Sequence, residues 1–383
     1  MSQNIGDFGE DDLEKQPNES IVEFYLRTRK DEIKENTADT FRVSWNRLRD
    51  YIDSEHPDKT IFDLTTADVK DWYAFLESDG VRSITIKHYA SNVAQIMNDL
   101  RANNYIQGNK TPFVDAQNIV EFNTRSGSKL EVAYLDMREA INNIISPTAL
   151  VLITLLAKYG LRSGELLNLD ERDLNLNHPI STYIDDPRRQ IRNNPNSMYI
   201  DSTISEGKIH NGERRRISNK KKSTRELPLD DETVELLAWY LSMRASSNSP
   251  SNPVITSNKG GGDHRRDSEY DSGHIVRVGS RPGMPTLTRA VERFAKQNDW
   301  HDQERRAGIH PHWFRHWFTT IMRGRVSEDE IHIGTVKGFV GGLRGDTGGE
   351  VIDTYTQDWN EAFEEDVPPY DKIVRRNLPK FFD

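Results

Sequence analysis

The sequence predicts a mainly α protein with a small antiparallel sheet: a helical first domain, then an α+β second domain. Three observations point there. Residues 17–105 carry apolar positions at helical spacing, with no alternating stretch between them. Alternation of period two is confined to short runs between Pro179 and Pro228. Helical spacing then returns and recurs as far as Thr356.

The bulk properties bound the function. A chain of 383 residues is long enough for two separate cores. It has no cysteine, which excludes disulfides, thiolate zinc sites and a cysteine nucleophile, and fits a cytoplasmic protein. The longest mostly apolar run, Ala149 to Ala157, is far too short to span a bilayer. Met1 to Gln16 is acidic and lacks the apolar stretch of a secretory signal. The net charge of −10 opposes a nucleic-acid partner in bulk. Its distribution weakens that objection. Acidic residues crowd Gly6 to Glu14 and Glu361 to Asp371, whereas Arg214-Arg215-Arg216, Lys220-Lys221-Lys222, Arg305-Arg306 and Arg323 with Arg325 are basic clusters. An acidic shell over basic patches suits a halophilic source and an ordinary acidic cytosolic protein equally.

In chain order, residues 1–16 read as a disordered N-terminus. Residues 17–105 read as four helices. Pro17 and Asn18 open the first, with Ile21, Phe24 and Tyr25 inward. Thr37 can cap the second, whose Phe41, Trp45, Leu48 and Ile52 form a stripe. Thr65 and Asp68 make a capping-box start to the third, followed by Val69, Trp72, Tyr73 and Leu76 on one face. The fourth aligns Ile86, Tyr89, Val93, Ile96, Met97 and Leu100. Residues 106–129 are polar and read as a linker. The second domain, 130–383, opens with helices over Met137 to Ile145 and Thr148 to Tyr159, the latter stopped by Gly160. Met198 to Ile200 and Arg225 to Leu229 read as strands, and Asp231 to Arg244 as a helix. Residues 246–274, rich in Ser, Asn, Gly and Asp, read as a flexible insertion. Thr286 to Asn298, His312 to Arg323 and Glu328 to Phe339 read as helices, and a short helix over Glu350 to Thr356 carries Tyr355.

Several residues could do chemistry. Gly160 ends one helix and another starts at once, so Arg162 stands at the junction beside backbone N–H groups, and both can address an anion. Glu165, one turn on, can hold the guanidinium; the plain alternative is a surface Arg–Glu pair. His312 and Arg315 lie three apart on a helix whose apolar face is Phe314, Trp317, Phe318 and Ile321, which suggests a rigid, half-buried site. A core-edge histidine with a surface arginine is the alternative there. His310, His312 and His316 have no carboxylate or cysteine at ligand spacing, so no metal site is expected. Lys220, in a turn before a strand, could protonate a leaving alkoxide or simply be solvated. Tyr355 is either a packing tyrosine or a phenol nucleophile, which needs no metal.

Taken in order, these pieces resemble the tyrosine recombinase (phage integrase) family. They are Tyr-Gly-Leu-Arg-x-Gly-Glu-Leu at 159–166, a lysine eight residues before Pro228, His-x-x-Arg-His at 312–316, and Tyr355. The resemblance covers the second domain and extends to the four-helix domain, which looks like the family's SAM-like core-binding domain. It implies Arg162 as the first catalytic arginine, with Glu165 as supporting acid. Lys220 matches the strand-turn lysine, with Lys221 and Lys222 as alternatives in register. His312 and Arg315 match the His-x-x-Arg pair, and Tyr355 matches the nucleophile. One position departs: nine residues before the tyrosine, where the family has histidine or tryptophan, stands Asp346. Aspartate cannot donate as those groups do at neutral pH, although it could hold Tyr355 or Arg344 through a hydrogen bond.

The resemblance further implies a site-specific DNA recombinase or integrase that cuts and rejoins double-stranded DNA through a 3′-phosphotyrosyl intermediate. It needs no cofactor, and works as a homotetramer on paired sites, with a monomer off DNA. Arg42 and Lys87 are DNA-contact candidates on polar helix faces. The tail from Leu378 to Asp383, with Phe381 and Phe382, is either a contact to a neighbouring subunit or a frayed end. Two other readings stay open: a type IB topoisomerase-like relaxing enzyme, and a DNA-binding regulator with weakened catalysis, which Asp346 keeps alive.

Overall fold

Residues 20–29, 33, 35–105, 112–120, 130–220, 224–258, 278–301, 308–327, 375–376 and 378–382 are described by the computed structural model. Lys221, Lys222, Asp346, Tyr355, residues 1–16 and the helices expected over Glu328 to Phe339 and Glu350 to Thr356 lie outside the described residues. The chain divides into two compact units, Met1–Ser126 and Gly127–Asp383.

The first unit is helical: α1 (Ile21–Thr28), α2 (Glu35–Glu55), α3 (Thr66–Ser78), α4 (Ser83–Ala102) and α5 (Pro112–Ile119). Ser20 caps α1, its hydroxyl accepting from the Glu23 N–H at 3.3 Å. The expectation that Thr37 caps α2 does not hold, because the helix already begins at Glu35. An acidic residue suits a first turn, where the backbone N–H groups carry partial positive charge. At α3 the capping box forms as expected. The Thr65 hydroxyl accepts from the Asp68 N–H at 3.3 Å, and Asp68 accepts from the Thr65 N–H at 2.8 Å. Lys59 donates to the same carboxylate at 2.7 Å and is the chief reason its pKa falls from 3.8 to about 2 despite burial. The stripes from Phe41 to Ile52, from Val69 to Leu76 and from Ile86 to Leu100 meet in one core, with Ile21 and Tyr89 packed at its margin.

α5 falls inside the span read as a linker. Phe113 and Ala116 are buried in the first unit's core, and the Phe113 ring meets Trp72 edge-on with centroids 6.3 Å apart. Phe113, Val114, Ala116 and Ile119 stand within a polar stretch and give a faint helical pattern; Pro112 at the start, with its preset φ, is the better signal.

The second unit holds α6 (Tyr134–Asn142), α7 (Pro147–Tyr159), α8 (Ser163–Leu167), α9 (Asp231–Met243), α10 (Met284–Gln297) and α11 (Pro311–Ser327). α7 is buried on all sides from Val151 to Tyr159, and α6, α8, α9, α10 and α11 pack on it. Its strands are β1 (Leu174–Asn175), β2 (Ser197–Ile200), β3 (Ile209–His210), β4 (Glu213–Arg214) and β5 (Arg225–Pro228). β1, β2 and β5 form an antiparallel sheet in that order, with Met198 opposite both Leu174 and Leu227, and Ile200 opposite Arg225. β3 and β4 form a hairpin turned by Asn211-Gly212 at φ 51° and 78°, both left-handed, which gives the twist a two-residue turn needs.

Two expectations are corrected in this unit. The segment read as a flexible insertion is ordered over its first part. Ser251, Val254, Ile255 and Thr256 are buried, and the Val254 N–H donates to the Leu169 carbonyl at 2.9 Å. Its serines and asparagines build turns rather than disorder: the Ser249 N–H donates to the Ser247 hydroxyl at 3.0 Å. Residues 259–274 lie outside the described residues.

The tail is not a frayed end. Leu378 and Phe381 enter this unit's own core, and Phe381 stacks on Trp317 at 6.2 Å between centroids. Its backbone is held as well: Glu232 accepts the Phe381 N–H at 2.7 Å, and Asn142 donates to the Phe381 carbonyl at 2.9 Å. Lys380 reaches Asp230 at 2.6 Å, beside the wholly buried Lys158, which pairs with Asp230 and Glu232. An aromatic pair after a polar run reads as exposed only when the groove that receives it is not visible in the sequence.

Candidate functional site

Gly160 adopts φ 56° and ψ 31° and turns the chain sharply off α7. The turn is also a close approach: a Cβ there would stand 2.7 Å from Cδ1 of the buried Phe318 on α11. Leu161 is buried next, and Arg162 then caps the short α8. Glu165, also buried, turns back toward it. One carboxylate oxygen accepts the Arg162 N–H at 2.9 Å and the other accepts its guanidinium at 2.8 Å.

α11 brings the second expected arginine to the same place. Trp313 and Trp317 fix the helix by donating their indole N–H groups to the Leu130 and Val132 carbonyls, at 3.0 and 2.8 Å. Arg315, grouped in the sequence with the polar face of that helix, is instead buried, and donates to the Gly160 carbonyl at 3.0 Å. Burial, and then the positive charge of Arg162, push its pKa down to about 10, so it remains a cation at neutral pH. His312 is exposed one turn before it, its ring edge-on to His316 at 4.9 Å between centroids. Lost hydration, then the charges of His316, Arg315, His310 and Arg162, lower its pKa, which favours the neutral imidazole and a proton-accepting nitrogen.

The turn that carries Lys220 is pinned from below. Asn168 donates to the Ile217 carbonyl and to the Asn219 side chain, each at 3.0 Å, and Asn219 donates to the Asp201 carbonyl at 2.7 Å. Gly164 lets this turn come close, since a Cβ there would meet the Ser218 carbonyl at 2.7 Å. Lys220 itself is exposed at the end of that anchored run.

Arg225 is a site residue that sequence reasoning missed. It lies on β5 inside the very Arg-Glu-Leu-Pro run used to place the lysine, and grips Glu165 with both ends of its guanidinium, at 3.0 and 2.9 Å. Burial raises the Glu165 carboxyl, but Arg225 and then Arg162 outweigh it and hold the group at about 2. Among the described residues, three guanidinium groups thus gather at one spot around one carboxylate: Arg162 and Arg225 pair with Glu165 directly, and Arg315 feels its charge. Such a spot suits a phosphoryl group.

Arg42 pairs with Glu23 at 2.9 Å and with Asp39 at 3.0 Å, so its charge is already matched; Lys87 is exposed on α4. The basic run Arg214 to Arg216 is not one patch, because Arg215 is wholly buried against Asp170. No group of metal-ligating side chains occurs among the described residues, and none of the described helices is long and apolar enough to cross a membrane.

No family model and no curated protein matches the chain. Solved structures do. An integrase of the Tn1549 transposon, in complex with transposon right-end DNA, superposes with a TM-score of 0.56 at 12% identity, over 88% of this chain and 99% of that one. A lambda integrase dimer bound to a COC′ core site gives 0.52 at 13%, over 90% and 78%. A lambda integrase tetramer bound to a Holliday junction gives 0.53 at 14%, over 87% and 75%. At such identities the likeness is one of architecture, and it extends over most of the chain. The protein has the tyrosine recombinase fold.

Proposed function

We propose that the protein is a site-specific DNA recombinase that cuts and rejoins duplex DNA through a tyrosine. Tyr355 attacks a backbone phosphorus. Arg162 and Arg315 hold the two non-bridging oxygens, where charge builds in the transition state, so fixed guanidinium groups stabilise it more than the ground state. His312, lowered in pKa, takes part in proton transfer at the tyrosine or orients the phosphate. Lys220 protonates the 5′-oxygen as it leaves. The product is a 3′-phosphotyrosyl ester and a free 5′-hydroxyl; the ester keeps the bond energy, so a hydroxyl from another strand reseals it. Exchange of both duplexes uses four such tyrosines, hence a homotetramer on paired sites. The charges come from side chains, so the mechanism calls for no cofactor.

The observation that carries this reading is the meeting of Arg162 and Arg315, remote in sequence, around Gly160 and Glu165. The sharing of architecture with integrases solved on DNA supports it. Asp346, where a histidine or tryptophan would stand, favours a second reading as a DNA-binding regulator with weakened catalysis. One experiment separates them. The purified chain is incubated with a pool of nicked duplexes of randomised sequence, with and without EDTA, and covalent adducts are trapped and mapped by mass spectrometry. A recombinase gives an adduct on Tyr355 that survives EDTA and disappears in Tyr355→Phe. Binding without any adduct would favour the regulator. An adduct lost in EDTA would refute the metal-free chemistry.

A further inference from the structure

Arg225 has no part in the chemistry described so far, yet it makes two of the hydrogen bonds to Glu165. We propose that Arg225 is a positioning residue, which clamps Glu165 so that this carboxylate can orient Arg162 without cancelling its charge. The proposal rests on the recombinase reading of the site. Each Glu165 oxygen accepts one bond from Arg225 and one from Arg162: Oε1 at 3.0 and 2.8 Å, Oε2 at 2.9 and 2.9 Å. The carboxylate is thus filled from two sides and has one orientation.

The charge count gives the clamp its purpose. A buried carboxylate facing Arg162 alone would neutralise it and compete with a phosphate for its N–H donors. With Arg225 added, three guanidinium groups stand against one carboxylate among the described residues, an excess of positive charge there. A phosphodiester carries one negative charge. Attack by a phenolate raises that to two at the five-coordinate phosphorus. The excess therefore matches the transition state better than the ground state. A planar fork is needed for this, because only arginine spans both oxygens of a carboxylate at once. The side chain is nearly buried, and its backbone is held in β5, which pairs with β2 with Arg225 opposite Ile200. Arg225 thus links the sheet to the phosphate-binding arginine.

The test uses the full chain, nicked duplex and three variants. Arg225→Met should slow adduct formation by about 10- to 100-fold, a larger change than any loss of duplex affinity. Arg225→Lys should recover part of the rate. The decisive variant is Arg225→Met combined with Glu165→Gln. Removing the carboxylate restores the excess charge, so the double variant should form adduct faster than Arg225→Met alone. A double variant no faster than the single one overturns the proposal. So does a slowing of Arg225→Met that merely tracks lost folding by circular dichroism. If the wild-type chain forms no adduct, the recombinase reading fails, and the clamp is judged separately. With ¹³C-labelled glutamate, the Glu165 carboxyl should titrate well above its value of about 2 in Arg225→Lys or Arg225→Met. An unmoved titration refutes the clamp.

Discussion

Gly160→Ala is the substitution that most sharply probes how the fold builds the site. Two separate costs follow from the geometry. At φ 56° an alanine is held in the left-handed region, which costs about 1–2 kcal/mol for a residue with a Cβ. The new methyl would also stand 2.7 Å from Phe318 Cδ1 and 3.1 Å from its Cγ. Carbon atoms in contact prefer about 3.5–4 Å, and Phe318 is fully buried. Forcing such a contact typically costs about 1–3 kcal/mol. Together the loss is on the order of 2–5 kcal/mol, a shift of roughly 1–2.5 M in urea midpoint at a slope of about 2 kcal/mol per M. Urea unfolding followed by tryptophan fluorescence measures it. Phe318→Leu separates the two causes. In that background Gly160→Ala should cost about 1–2 kcal/mol less, since the steric part is relieved and the backbone part remains. A single-variant loss below about 0.5 kcal/mol would refute the reasoning, as would equal losses in both backgrounds.

Three further outcomes are expected. Phe381→Ala removes a wholly buried ring and should cost about 3–5 kcal/mol, with a melting temperature that does not change with protein concentration. Concentration dependence would instead place the tail on another subunit. Asp68, held chiefly by Lys59 at about 2 against its ordinary 3.8, contributes stability that is fully present above 3.8 and is lost as pH falls toward 2. Asp68→Asn should flatten urea stability across that window; an unchanged slope would contradict the assignment. Arg315→Lys should lower the rate of adduct formation by about 10²–10³, because an ammonium cannot both hold the Gly160 carbonyl and reach a phosphoryl oxygen. A loss under about threefold would remove Arg315 from the chemistry.

Regular periodicity made much of the fold legible. The stripes of the first unit and the capping box at Thr65 each rest on signals local to a few turns, and these came through unchanged. Gly160 was legible for the same reason, as a glycine directly after an apolar helix. Arg162, Glu165 and Arg315 could be named from spacing, but not the burial of Arg315, which depends on how α11 seats against the end of α7. Arg225 escaped because its partner lies on another element, and a lone arginine in a strand resembles any edge residue. Arg215 misled in the opposite sense: a basic residue in sequence, it is matched by Asp170, which only the folded chain brings near. The tail and α5 were missed because their apolar residues are few and their receiving surfaces are built by distant segments.

The most direct test of the central claim is a structure of the chain with a nicked duplex and orthovanadate, which mimics five-coordinate phosphorus. Convergence of the two arginines predicts that the Arg162 and Arg315 guanidinium groups each lie about 3 Å from a non-bridging vanadate oxygen, with Tyr355 on the vanadium. Finding either arginine turned away from the vanadate, or an atom other than the Tyr355 oxygen in the attacking position, would contradict it.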